Sequence, residues 1–368
     1  MGIDQQAVNS LLNRVRRDVE SGLLPSAQVA LAFEGELVHF HTFGDATDES
    51  RYVVYSATKA FVAGAMWALI GDGSVDISKR VVDYIPEFDT NGKGVITLEQ
   101  VMLHTSGFPA APLAPIVGDT SAGRTAAFAQ WRLNWEPGTK FEYHPTSAHW
   151  VLAEVIERVT GRDYRDVVAE RVTAPAGLER VLGDVPHAAA ELMVVGEAAS
   201  PDELEAVFGI REIDFGEVTT DALMAFNDPA VQRVGIPGGG GVMRAADLAL
   251  YYQAVLHNPG GMWSEDVLND VTTNVRNRLP DQMTHVPANR TLGLVQAGGD
   301  GMSGFRGMGK TVSAGTVGHN GAKGQIAWGD PATGLSFGYC TNGLDEHFIR
   351  ESRRTVAIAS LAGLCATA

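Results

Sequence analysis

Ser56-Ala57-Thr58-Lys59 opens a run to Ile70 whose composition is helical, with Phe61, Met66, Trp67, Leu69 and Ile70 set among alanines. A Ser and a Lys three apart on a helix share one face, with Cβ atoms about 5–6 Å apart. If the helix starts near Ser56, its hydroxyl sits at the positive helix end, among free backbone N–H groups. Burial and that dipole both disfavour a charged ammonium, so Lys59 is expected to be partly neutral and able to act as a base. A Ser hydroxyl is a weak nucleophile until such a base takes its proton. On its own, the pattern is weak evidence, since many helices carry it by chance, and it reads more readily as a surface Ser beside a surface Lys.

Upstream, Val8, Leu11, Leu12, Val15 and Val19 recur at helical spacing, which predicts a helix over 4–21. Val29, Leu31 and Phe33 alternate, Glu34-Gly35 makes a turn and Leu37–Phe43 follow, which predicts a β-hairpin. Tyr52–Tyr55 is a short apolar run leading into Ser56. Downstream, Thr97-Leu98-Glu99-Gln100 fits a capping box. Ser147–Val159 reads as a helix stopped by Gly161, and Ala245–Leu256 as another, preceded by the run Gly238–Gly241. Pro109–Gly123 reads as a loop, and 296–318 as a long mobile one. Gln325–Trp328 and Leu335–Cys340 form a second hairpin around Gly329-Asp330-Pro331, and Arg350–Ala362 a last helix. Strands at both ends and helices between them predict a discontinuous α/β domain from 1–70 and 290–368, with a mostly helical domain at 71–289.

The chain has 368 residues, 45% of them hydrophobic, enough for a sizeable core and too apolar for disorder. It carries 28 Lys and Arg against 44 Asp and Glu, a net charge of −16. That balance argues against nucleic acid and against an anionic membrane surface as partners. Two cysteines, Cys340 and Cys365, are too few for a disulfide scaffold or a Cys-based zinc site. The first residues show neither a basic nor an apolar leader segment, and the cytoplasm is the expected compartment.

Three further motifs join the first. Leu103-His104-Thr105-Ser106-Gly107 comes first, then Trp135-Glu136-Pro137-Gly138 leading to Tyr143, then His319-Asn320-Gly321 just before an apolar strand. In order and spacing the chain resembles the serine β-lactamase and penicillin-binding-protein superfamily, and within it the carboxylesterase branch related to class C β-lactamases. The resemblance implies an α/β (α+β) fold with an antiparallel sheet flanked by helices. It implies Ser56 as acylated nucleophile, with Lys59 and Tyr143 sharing its proton. It implies an oxyanion hole made of the backbone N–H groups of Ser56 and Ala322. His319, Asn320, Gly321 and His144 would border the substrate. No cofactor or metal is called for.

Two departures from the family pattern bear on the substrate. Pro145 stands where the family has an amide-binding Asn, and His319 where it has a cationic Lys. Both remove contacts to an acylamino-carboxylate substrate, whereas ester hydrolysis needs neither. The expected activity is therefore cleavage of small or medium carboxylic esters through an acyl-serine, with acyl transfer to an alcohol open to the same intermediate. A β-lactamase or D-amino-acid peptidase of the same fold is the alternative. A catalytically silent scaffold is the alternative of another class. Gly304–Thr311 matches the phosphate-loop pattern in full, but it lacks a preceding strand and a following helix former. His39 and His41 share one side of a strand without an evident third metal ligand.

Overall fold

A computed structural model describes residues 2–214 and 216–367. In chain order the elements used below are α1 (Gln5–Glu20), β1 (Ser26–Phe33), β2 (Glu36–Gly44), β3 (Tyr52–Val53), α2 (Thr58–Gly71), α3 (Leu98–Met102), α4 (Ser147–Thr160), α5 (Pro201–Phe208), β4 (Val242–Met243), α6 (Ala245–His257), β5 (Val295–Gln296), β6 (Val317–Gly318), β7 (Ile326–Gly329), β8 (Leu335–Thr341) and α7 (Phe348–Gly363). Local chemistry sets their ends. The Asp4 carboxylate caps α1 through the N–H groups of Gln6 and Ala7. Thr97 and Gln100 close a capping box on α3, and left-handed Gly161 ends α4.

The main sheet has six strands in the order β2-β1-β8-β7-β6-β5, every neighbour antiparallel. Its central strands are buried on both faces. Ala27, Val29 and Leu31 of β1 join α1 and α7 in one core, while Ala30 and Ala32 face the other core, which contains α2 and α6. Strand periodicity thus splits β1 between two helical layers. Gly338 of β8 lets α6 lie close, because a Cβ there would stand 2.1 Å from the Ala245 carbonyl oxygen.

Every residue of α2 from Thr58 to Leu69 is buried. A helix that is apolar all round belongs inside a molecule. Burying each of Phe61, Met66 and Leu69 contributes about 1.5–3 kcal/mol. The amino end of this central helix is therefore a fixed point, and the candidate site forms around it.

The segment 109–123, expected as loop, contains the turn Pro115–Gly118 and the start of a helix, Ser121–Gln130. That helix is held by ion pairing more than by apolar spacing: Arg124 Nε donates to Glu154 of α4 at 2.8 Å, both side chains fully buried. The segment between β5 and β6 has no helix or strand. Arg306 fastens it, donating to the carbonyl oxygens of Ala297 and Pro287 and to Asp300.

Candidate active site

Tyr55–Ala57 forms one 3₁₀ turn that feeds into α2. Tyr55 has φ 45°, a left-handed conformation that costs a non-Gly residue on the order of 1–3 kcal/mol. Neighbouring structure holds it there: β3 pairs with β4, and the Val54 N–H donates to the Gly241 carbonyl at 2.9 Å. The turn leaves Ser56 partly exposed, while Tyr55, Ala57, Thr58 and Lys59 are buried.

Lys59 Nζ lies 3.1 Å from Ser56 Oγ. It also donates to the carbonyl oxygens of Pro145, at 2.6 Å, and Gly238, at 2.5 Å. The amine is fully buried and, among the described residues, has no carboxylate in hydrogen-bond contact. Burial pushes its pKa below the ordinary lysine value, only partly offset by Tyr143. Gly238 is needed for this approach, since a Cβ there would lie 2.9 Å from the Pro145 oxygen and 3.4 Å from the amine. The glycine run before α6 is thus part of the lysine's seat.

Tyr143 completes the group. Lys59 Nζ is 5.1 Å from the centre of its ring, and its buried hydroxyl has no hydrogen-bond partner among the described residues. Two neighbours of Tyr143 carry structure or charge. His104, itself left-handed at φ 57°, lies 4.9 Å from it, ring centre to ring centre. The Arg290 guanidinium sits over the Tyr143 ring at 5.1 Å and the Phe141 ring at 5.4 Å. Arg290 makes no ion pair among the described residues, and its Nε is buried without a partner. It points one nitrogen at His319 Nε2, 3.4 Å away. An arginine can only donate, so Nε2 accepts and the His319 proton is on Nδ1, facing the Asn320 carbonyl at 3.0 Å. Sequence reasoning missed Arg290. It restores a cation beside the position where the family pattern loses its Lys.

The third wall is the turn after β6. Gly321 passes so close to the nucleophile's strand that a Cβ would stand 2.0 Å from the Val54 carbonyl oxygen. The N–H groups of Ser56 and Ala322 have no backbone acceptor among the described residues. Lys323, next to Ala322, is again left-handed at φ 56°. Gly321→Ala is expected to cost about 1–3 kcal/mol, because two backbones must part. A urea midpoint equal to that of the unmutated chain would show that the turn gives way freely.

Two expected pocket residues face elsewhere. His144 is fully buried and both its ring nitrogens are taken. Nδ1 donates to the Glu142 carbonyl at 2.6 Å, and Nε2 accepts from Phe108 N–H while lying 3.0 Å from Ser106 Oγ. It is a clamp behind Tyr143 rather than a substrate contact. The Asn320 side chain is also occupied, by the Gly307 carbonyl and the Ala327 N–H. Ser106 and His104 lie in the same packed layer. The phosphate-loop pattern folds as turns, with Lys310 exposed and its N–H donating to Ser360, so no helix follows it. The His39 and His41 rings stack at 6.0 Å, and no cluster of three or more metal-ligating side chains occurs among the described residues. No helix there is long and apolar enough to cross a membrane.

Comparison with known proteins fits this geometry. The Esterase/beta-lactamase LipL of Mycobacterium tuberculosis is 29% identical over 327 residues, 80% of this chain and 70% of LipL. EstA from Arthrobacter nitroguajacolicus superposes with a TM-score of 0.77 at 22% identity, covering 100% of this chain and 99% of EstA. A family VIII carboxylesterase superposes with a TM-score of 0.76 at 24% identity, covering 98% and 99%. The Beta-lactamase family model matches residues 11–362. This chain, with an antiparallel sheet between two helical layers, therefore belongs to the beta-lactamase family of hydrolases.

Proposed function

We propose that the protein cleaves small and medium carboxylic esters through an acyl-Ser56 intermediate. The observation that carries this reading is the hydrogen bonding of Lys59. A neutral amine has two N–H groups and one lone pair. The Pro145 and Gly238 carbonyls take the two N–H groups, which turns the lone pair towards Ser56 Oγ at 3.1 Å. Burial without a carboxylate contact favours that neutral form.

The steps then follow. The Ser56 proton moves to Lys59 as Oγ attacks the ester carbonyl carbon. The resulting oxyanion is met by the N–H groups of Ser56 and Ala322; each such donor is worth roughly 3–4 kcal/mol. The C–O bond to the alcohol breaks, and the Tyr143 hydroxyl protonates the departing oxygen, drawing its replacement proton from Lys59. Water, or a second alcohol in acyl transfer, repeats the sequence in reverse. Ester rather than amide is favoured because Pro145 offers no side-chain donor for a substrate amide.

Tyr143→Phe is expected to lower kcat by roughly 10²–10⁴ with KM little changed, since proton transfer belongs to the transition state. Steady-state kinetics on p-nitrophenyl butyrate checks this, and an unchanged kcat would remove Tyr143 from the reaction.

A second reading rests on Arg290. Its guanidinium beside His319 could hold a substrate carboxylate, which would suit a lactam or a D-amino-acid peptide. Turnover of a chromogenic cephalosporin measured beside the butyrate ester separates the two. Faster lactam turnover would reverse the ranking. Failure of a fluorophosphonate probe to label Ser56 would favour a silent scaffold instead.

A further inference from the structure

A cleft of about 460 Å³ lies away from Ser56, between the start of α7, α1 and α5. Arg350, Arg353 and Arg354 line it from α7, Arg14 from α1, with His347 and Glu203 at its edge. Three arginines in the first two turns of a helix oppose its dipole, which is positive at that end. Helix stability alone would put carboxylates there, and the chain has a surplus of them: its net charge is −16.

The carboxylates nearby do not use up these donors. Asp18 pairs with Arg14 at 3.2 Å. Asp345 serves both Arg350, at 2.6 Å, and Arg354, at 2.7 Å. Glu203 caps α5 through Ser200 and stands 3.5 Å from His347. Glu351 is bonded to Thr355. Arg353 is exposed and has no ion pair among the described residues. Arg354 is 2% exposed, yet among the described residues its Nη2 has no partner, and neither has the buried Nδ1 of His347. A buried charged donor left unmade costs on the order of 1–3 kcal/mol, so the Arg354 guanidinium calls for an acceptor in this cleft. Val207 and Ile349 add an apolar wall.

We propose that this cleft binds a small oxyanion, a carboxylate or a phosphate, between Arg353, Arg354 and His347. Guanidinium forks match the paired oxygens of either group. The apolar wall leaves room for a short hydrocarbon arm on the anion.

The test is thermal unfolding of Ser56→Ala, in which the catalytic nucleophile is absent, against sodium phosphate or sodium butyrate, with sodium chloride matched for ionic strength. A saturable rise in midpoint of about 2 °C or more is expected, as for any ligand that binds only the folded state. Phosphate alone raising it would identify a phosphate source, and butyrate acting at lower concentration a carboxylate with its arm. Arg353→Glu, at an exposed position that leaves the fold intact, is expected to weaken the apparent affinity at least tenfold. No rise beyond that with chloride, or a rise unaltered by Arg353→Glu, overturns the proposal.

Discussion

Ser56→Ala is expected to reduce ester turnover by at least about 10⁴-fold while the melting temperature stays within a few degrees of the unmutated chain. Removing one hydroxyl oxygen from a partly exposed turn leaves the buried face of α2 untouched. It also leaves Lys59 with both carbonyl acceptors, at 2.6 and 2.5 Å, so the amine keeps its place. What disappears is the hydroxyl that faces the amine lone pair at 3.1 Å. Lys59→Met should come close to the same loss, because a Ser that cannot shed its proton is a poor nucleophile. The double variant should then be little worse than either alone, as happens when two groups act as one unit. Stopped assays with p-nitrophenyl butyrate measure all three variants, and intact mass after brief mixing reports the acyl adduct. Additive losses, or near-full turnover without Ser56, would move the chemistry to another residue.

The pH dependence of the same reaction carries a sign. Lys59 must be neutral to take the Ser56 proton, so kcat/KM rises with pH through its pKa. Burial places that rise below the ordinary lysine range. An acid limb centred above pH 10 would mean an unshifted amine.

How much of this site could be read from the chain depends on how each residue is joined to its partners. Ser56 and Lys59 are three apart on one helix, so helical geometry alone puts them together. Tyr143 and His319 are linked to them only through tertiary structure, and a family resemblance was needed to pair them. Arg290 has neither kind of signal. It stands in irregular chain, flanked by Asn289 and Thr291, and is useful only because the fold brings it over Tyr143 at 5.1 Å. His144 misled because it adjoins Tyr143. In an extended segment successive side chains point to opposite sides, so the neighbour of a site residue faces the core behind it. The Gly238–Gly241 run was visible, but its purpose was not. Only packing shows that a Cβ at Gly241 would stand 2.7 Å from Thr58 Oγ1, and that the Gly238 carbonyl receives the lysine. The hairpins and long helices were legible because their apolar periods are unbroken. The helix Ser121–Gln130 was not, since a buried Arg124–Glu154 pair holds it.

Stability should collapse between pH 6 and pH 5, well above the pH at which most folded chains lose their carboxylate pairs. Four histidines, His104, His144, His149 and His319, are at most 5% exposed. Burial pushes every one below the ordinary imidazole range, His144 to about 3, and Arg290 adds repulsion at each. Above about pH 6.5 both folded and unfolded chains hold these rings neutral, and they cost nothing. As pH falls, the unfolded chain takes up protons that the folded chain refuses, and folding weakens by about 1.4 kcal/mol per pH unit for each ring. Four together remove roughly 5 kcal/mol over one unit, comparable to the whole stability of a small domain. Glu157, Glu217 and Glu351 shift upwards by burial and act in the opposite sense, returning stability as they protonate towards the carboxylate range. Urea midpoints at pH 7, 6 and 5 measure the slope. His149→Phe, which removes one of the four rings, should flatten it by about a quarter. A level profile from pH 7 to 5 would mean that the cluster opens to water and takes up protons while folded.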